Sequence, residues 1–152
     1  MFFEVFGKLT ERRMDMENDL LDLLPPDWKE YKVGEGCFDP AILSAYFKLR
    51  EMFPDLYVNF RGGVRVNSWC GYRTPSCKIG ASNSAHKRGM ALDLHCGDMA
   101  GLRDFCHSSS GLKLGIKRIE DFAATPTWVH IDTAPPNEAR WDDRSKPYMF
   151  KP

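Results

Sequence analysis

The chain has 152 residues, of which 43% are hydrophobic, and its 21 basic and 21 acidic side chains give a formal net charge of zero. This length is typical of one domain whose core needs no disulfide or structural metal. The balanced charge excludes the strong basic field of proteins that bind nucleic acid non-specifically, so we expect no nucleic-acid partner.

The N-terminal residues predict neither export nor membrane insertion. The start MFFEVFGKLTERR has no basic region before a long apolar stretch and no small-residue cleavage site, so we expect synthesis in the cytoplasm without a signal peptide. No run approaches the roughly 18 apolar residues of a membrane span, so we expect no membrane partner. The five cysteines are odd in number and contain no C-x-x-C pair, which favours reduced thiols over disulfides.

Helices are predicted in three places. Apolar residues recur at near-helical spacing over 9–24, and a Pro-Pro pair then ends the pattern because proline cannot continue a helix. Asp39 can cap a second helix over 40–53 that begins with Pro40. A short third helix is predicted over 100–106.

The remaining elements are short β-like segments interrupted by glycine and proline. Since no repeat or linker is present, we expect one α+β domain over 1–152 with its function on loops. Within it we distinguish an N-terminal helical extension (1–37), a core (38–133) and a C-terminal surface tail (134–152) rich in proline and charge. The predicted strands cover 56–60, 63–69, 89–95, 113–120 and 127–133.

The first candidate site is the segment SAHKRGMALDLH, residues 84–95. If Gly89 permits a turn and 90–95 run as a strand, alternation places Asp93 in the middle of an apolar strand. An unpaired carboxylate is costly there, and a metal ion held with His86 would remove that cost. The alternative is a surface histidine and a carboxylate that caps a turn or pairs with Arg88, so a metal site needs a further ligand.

The segment TPTWVHID, residues 125–132, can supply that ligand. As a strand it places Val129 and Ile131 on an apolar face and an aromatic ring, an imidazole and a carboxylate on the opposite face. Zinc in an enzyme usually takes three protein ligands and leaves a fourth position for water. On spacing alone, a metal site and an exposed polar face remain equal alternatives.

Three motifs, in this order, resemble the zinc D-Ala-D-Ala carboxypeptidase and murein endopeptidase family. They are C-G-Y-R-T (70–74), G-A-S-N-S-A-H-K-R-G-M-A-L-D-L (80–94) and W-V-H-I-D (128–132). The resemblance implies the Hedgehog/DD-peptidase fold, an α+β fold with a small antiparallel sheet, helices packed on one side and a zinc site on the sheet.

The resemblance also implies roles for individual residues. Arg73 corresponds to the arginine that contacts the carbonyl or carboxylate of the substrate near the scissile bond, and Ser84 to the serine that holds its terminal group. Tyr72 and Trp128 lie inside the motifs and are expected to form walls of the substrate groove. Three residues correspond to the ligands of one Zn²⁺ ion: His86, Asp93 and His130.

The general base is not where the family usually carries it. Some members have E-x-x-H and others a histidine two residues before the ligand, but these positions are Thr127 and Trp128 here. A predicted hairpin that pairs Glu120 with Trp128 would let Glu120 act as base and then as acid. The same register would set Arg118 opposite His130.

Asp132 is the second candidate base, and its alternative role is to orient an imidazole. For both Asp132 and Glu120, a solvated salt bridge with Arg118 or Arg140 is the simpler structural alternative.

The implied activity is that of a zinc metallopeptidase of the D,D-carboxypeptidase/endopeptidase type that cleaves peptidoglycan stem peptides or cross-links, at a bond that involves D-Ala. We expect a monomer whose partner is this peptide substrate. Without an export signal, such an enzyme fits a bacteriophage endolysin or a virion-associated lysin that degrades the cell wall after release. The alternative, motivated by the missing E-x-x-H carboxylate, is a catalytically inactive, zinc-stabilised module that binds the cell wall or serves as a phage structural component.

Overall fold

A computed structural model describes residues 18–152 of the chain. The fold is mixed α+β, as predicted. The part of the first predicted helix before residue 18 lies outside the described residues. The helices are α1, described over 18–23, α2 (Pro40–Met52), α3 (Met99–Cys106) and α4 (Ser109–Lys113), and the strands are β1 (Phe60–Arg61), β2 (Val64–Arg65), β3 (Ala91–Leu94), β4 (Arg118–Glu120), β5 (Val129–Asp132) and β6 (Tyr148–Phe150).

Helix α2 begins where the sequence predicts. Asp39 is its N-cap, and the Asp39 side chain accepts a hydrogen bond of 3.0 Å from the backbone N–H of Ala41. Pro40 occupies the first turn, where its missing N–H costs nothing. The buried face of this helix is formed by Ile42, Leu43, Ala45, Tyr46 and Leu49.

Four of the strands form one sheet in the order β3-β5-β4-β6. Neighbours among β3, β5 and β4 are antiparallel, as predicted, whereas β6 pairs with β4 in parallel. Strand β6 lies in the segment 134–152, for which only a surface tail was predicted. A short Tyr-Met-Phe run can pair with the free edge of β4, and Met149 then packs against the core.

The register between β4 and β5 corrects the predicted hairpin. Arg118 pairs with Asp132 and Ile119 with Ile131, two residues further along than the predicted pairs. The cause is an ordered loop over 121–128, in which the carbonyl of Asp121 accepts hydrogen bonds from two later backbone N–H groups. An even shift keeps each side chain on its original face of the sheet.

The two faces of the sheet differ as the alternation of β3 and β5 predicts. On one face Leu92, Leu94, Val129 and Ile131 are fully buried and share one hydrophobic cluster with α2 and α3. Burial of each such side chain contributes about 1.5–3 kcal/mol. The polar residues of the same strands therefore lie on the other face.

The cysteines and the lengths of the helices bear on two further expectations. All five cysteines are free thiols, as predicted. Among the helices of residues 18–152, none has the length and apolar character that would let it cross a membrane.

Candidate metal centre

Three side chains converge on the polar face of the sheet. Asp93 of β3 and His130 of β5 are direct partners in the antiparallel register, and His86 comes from a 3₁₀ turn (Ala85–Arg88) just before β3. Asp93 Oδ1 lies 2.8 Å from His130 Nδ1 and 3.3 Å from His86 Nε2, and the two nitrogens are 3.3 Å apart. All three residues are buried, and they form the one group of this kind within residues 18–152.

The spacing of these three atoms fits a metal ion. Ligand atoms about 2.0–2.1 Å from a tetrahedral ion lie roughly 3.3 Å from one another. The separations of 2.8 to 3.3 Å are close to this value. The group of His86, Asp93 and His130 could therefore hold a metal ion.

The approach of His86 depends on Gly89, which ends the 3₁₀ turn. Gly89 has φ +66°, a conformation that L side chains rarely adopt, and a Cβ atom there would lie 1.9 Å from the carbonyl oxygen of Cys37. Its N–H donates to the carbonyl of His86. The sequence predicts this turn correctly, because glycine fits it without strain or clash.

Hydrogen bonds on the far side of each ring fix the tautomers. His86 Nδ1 lies 2.8 Å from the carbonyl oxygen of Gly71, and His130 Nε2 lies 3.1 Å from Asp132 Oδ2. Since both partners can only accept, these nitrogens carry the hydrogens. In the neutral rings the lone pairs are then on His86 Nε2 and His130 Nδ1, the two atoms that face each other.

Asp132 lies behind His130, away from the other two candidate ligands. Its side chain is fully buried and receives two parallel bonds from Arg118, of 2.7 Å from Nε and 2.8 Å from Nη2. The N–H of Ala134 also donates to Oδ1. Asp132 thus contacts the imidazole of His130 and also forms the ion pair with Arg118 that was the structural alternative for this residue, although the pair is buried on the side of Asp132.

The charges in the group are mutually compensated. Burial opposes ionisation of Asp93, but the neighbouring His86 and His130 hold the pKa of its carboxyl below the usual range. Burial also opposes protonation of His130, yet hydrogen bonds with Asp132 and Asp93 raise its pKa to about 9. A metal ion would compete with a proton for His130 Nδ1, so its binding would release that proton.

A cavity of about 410 Å³ opens beside this group. Four residues predicted for catalysis or substrate binding line it, namely Arg73, Ser84, Glu120 and Trp128. Tyr72 does not; its ring packs edge-on against Phe38, with centroids 5.7 Å apart. Arg88, an exposed residue of the 3₁₀ turn, also lines the cavity.

Arg73 lies against the carboxylate of Asp93. Its Nη2 donates to Asp93 Oδ2 at 3.1 Å, and its Nε donates to the carbonyl of Trp69 at 2.7 Å. Gly80 gives the guanidinium room, because a Cβ at this position would lie 2.9 Å from Nη1. Arg73 thus neutralises the oxygen of Asp93 that does not face the histidines.

Glu120 brings a second carboxylate to the edge of the group. Its Oε2 lies 3.9 Å from His130 Nδ1, and its side chain is 17% exposed. Burial raises the pKa of Glu120 above the usual range for a carboxyl group. A partly buried carboxyl with a raised pKa, beside a candidate metal site, is suited to accept and return a proton.

Phe150 lies next to the site, although the sequence analysis did not predict it there. Its ring meets His130 edge-on at 5.7 Å, and the Cζ of Arg118 lies 4.8 Å from the ring centroid. Only the short Tyr-Met-Phe run signals this strand. His95, to which no motif gives a role, lies outside the group and stacks on Tyr57.

Comparison of the chain with protein-family models, with curated proteins and with solved structures gives no match. The resemblance to zinc peptidases is therefore carried by the three motifs alone, and membership of that family stays a prediction.

Proposed function

We propose that this protein is a zinc-dependent peptidase of the D-Ala-D-Ala carboxypeptidase and murein endopeptidase type, with the Hedgehog/DD-peptidase fold. Its proposed substrates are peptidoglycan stem peptides or their cross-links, cut at a bond that involves D-Ala. One observation carries the proposal: His86, Asp93 and His130 converge at the wall of an open cavity that Glu120 also lines.

The donor set supports zinc as the metal. Two histidines, each held by a hydrogen bond on its outer ring nitrogen, and one carboxylate are ligands that zinc accepts in enzymes. Three protein ligands leave one position for substrate or water. Zinc, when bound there, supplies a Lewis acid that polarises a carbonyl group and lowers the pKa of water.

Glu120 is the general base and acid of the proposed mechanism. Its carboxylate removes a proton from the water molecule that attacks the carbonyl carbon of the scissile peptide bond. The same group then gives that proton to the leaving amine as the C–N bond breaks. Partial burial supports this role, because a raised pKa brings the carboxyl closer to the pH at which both transfers occur.

Three other cavity residues hold the substrate. Arg73 is anchored by Trp69 and Asp93 and presents a fixed positive charge to the carbonyl or carboxylate next to the scissile bond. Ser84 precedes the 3₁₀ turn and makes no side-chain capping bond, so its hydroxyl can serve a terminal group of the substrate. Trp128 forms an apolar wall.

The proposed setting is the bacterial cell wall. In this proposal the protein acts as a monomer, as a bacteriophage endolysin or a virion-associated lysin. This setting follows from the proposed substrate, because peptidoglycan is a component of the bacterial cell wall.

The test is cleavage of purified muropeptides, followed by chromatography and mass spectrometry. We expect products that disappear when zinc is removed with a chelator and return when Zn²⁺ is added. The His86→Ala variant should give no product under any of these conditions. Absence of chelator-sensitive cleavage by the wild-type protein would overturn the proposal.

The second candidate is a non-catalytic, zinc-stabilised module that binds the cell wall. The observation that favours it is the pair Thr127 and Trp128 at the positions where the family carries its base or a histidine. Cosedimentation with purified cell walls separates the two candidates, because a module binds walls without releasing peptides.

A further inference from the structure

We infer that Arg118 is a positioning residue for the metal ligand His130 and that it acts through the carboxylate of Asp132. The inference rests on the metal centre of the proposed function, but not on the substrate or the reaction. It assigns to Arg118 the task of fixing the orientation of the His130 imidazole, and thereby of setting the affinity for the metal.

The geometry of the Arg118–Asp132 pair is that of a rigid fork. Nε and Nη2 of Arg118 donate to Oδ1 and Oδ2 of Asp132 at 2.7 and 2.8 Å. Two parallel bonds between planar groups fix both position and tilt, which a single bond does not. The carboxylate is thus held in one orientation while its Oδ2 accepts the hydrogen on His130 Nε2.

The position of Arg118 in the sheet supports this task. Arg118 pairs with Asp132 on one side of β4 and with Tyr148 of β6 on the other. From β6, the ring of Phe150 lies 4.8 Å from the guanidinium and also meets the edge of His130. Arg118 is therefore packed between its carboxylate partner and an aromatic ring, which limits the rotamers that it can adopt.

The positive charge of Arg118 is also needed to compensate the buried carboxylate of Asp132. The Asp132 side chain is fully buried, and a buried carboxylate without a cationic partner is strongly unfavourable. With a neutral side chain at position 118, Asp132 would lose its two strongest bonds. The carboxylate could then turn away from His130 Nε2, and the ring would lose its fixed orientation.

Equilibrium competition for Zn²⁺ with a chromophoric chelator tests the inference. We expect Arg118→Gln to weaken zinc binding by about 10–100-fold, the range found when outer hydrogen-bond partners of metal ligands are removed. Arg118→Lys should also bind more weakly, because an ammonium group cannot form the two parallel bonds. The matched control is Arg88→Gln, an arginine on the same cavity without contact to Asp132, and it should bind zinc within about twofold of the wild-type affinity.

A second measurement separates positioning from general loss of structure. The Co²⁺-loaded Arg118→Gln protein should show altered visible absorption bands while its far-ultraviolet circular dichroism stays that of the wild type. Wild-type affinity and an unchanged Co²⁺ spectrum in Arg118→Gln would overturn the inference. If that variant does not fold, Arg118→Lys decides by the same criteria.

The outcomes also separate this inference from the proposed function. A wild-type protein that binds zinc, loses affinity in Arg118→Gln and cleaves no muropeptide would support the inference and overturn the peptidase. Cleavage of muropeptides by the wild-type protein, together with undiminished zinc affinity in Arg118→Gln, would support the peptidase and overturn the inference. A wild-type protein that binds no zinc would overturn both.

Discussion

Glu120 and His130 meet at the edge of the candidate metal centre, with Glu120 Oε2 lying 3.9 Å from His130 Nδ1. The same nitrogen lies 2.8 Å from Asp93 Oδ1, so the carboxylate of Glu120 approaches the side of the ring that faces the other two candidate ligands. This contact exists because β4 and β5 pair in the observed register. In the proposed mechanism, Glu120 is therefore the carboxylate that moves a proton, because it lies beside the candidate metal group and is not a member of it.

Replacement of Glu120 by Gln should strongly lower the rate of peptide cleavage and leave zinc binding intact. An amide of the same shape cannot take up a proton, and loss of a general base lowers the rate by about 10²–10⁴-fold. The measurement is the initial rate of muropeptide cleavage beside a zinc titration of the same sample. Glu138→Gln, at an exposed position, is the matched control and should keep full activity. Activity of Glu120→Gln near the wild-type level would shift the role of base to another group.

Zinc should raise the thermal stability of the wild-type protein but not that of His86→Ala. A ligand that binds only the folded state at 100 times its Kd stabilises it by about 2.7 kcal/mol. For a domain of this size we expect a rise in Tm of roughly 5–10 °C. His107→Ala serves as the control, because His107 packs against Phe122 and is no member of the metal group. Equal shifts in His86→Ala and the wild type would place the zinc elsewhere.

Local signals made several parts of the site predictable. The cap at Asp39, the turn at Gly89 and the alternation of β3 and β5 each follow from residues close together in the chain. Alternation alone places Asp93 and His130 opposite the buried face. For this reason the sequence correctly predicts that these two residues come together with His86 in a group that could hold a metal ion, although their meeting is a long-range event.

The parts that were predicted wrongly or missed depend on distant contacts. The loop over 121–128 sets the hairpin register through bonds that include those from Arg103, a residue of helix α3. Strand β6 adds Phe150 to the site by pairing with β4, about thirty residues earlier in the chain. Neither partner can be identified from local periodicity, since pairing partners of a short strand are chosen by the tertiary fold.

Replacement of Arg103 by Met should loosen this loop and destabilise the fold. Arg103 Nη2 donates to the carbonyl oxygens of Thr125 and Pro126, both at 2.8 Å, and its Cζ lies 5.3 Å from the ring of Phe122. Loss of hydrogen bonds from a charged group costs about 1.5–3 kcal/mol. We expect a loss of this size in urea unfolding, with zinc affinity nearly unchanged. An exposed arginine, Arg140→Met, is the control and should change stability by less than about 0.5 kcal/mol.

The alkaline limit of stability should depend on the Cys106 thiol. Burial raises the pKa of Cys106 to about 12, whereas an unfolded cysteine titrates near 8.5. Below about pH 8.5 the thiol is protonated in both states, so it adds no pH dependence to the free energy of unfolding. As the pH rises toward 12, only the unfolded state loses the proton, and this single group lowers stability by about 1.4 kcal/mol per pH unit. Urea unfolding between pH 8 and 11 should therefore give a smaller slope for Cys106→Ala than for the wild type, by about one proton. Identical slopes would show that Cys106 ionises as readily in the folded protein as in the unfolded chain, contrary to its burial at the end of α3.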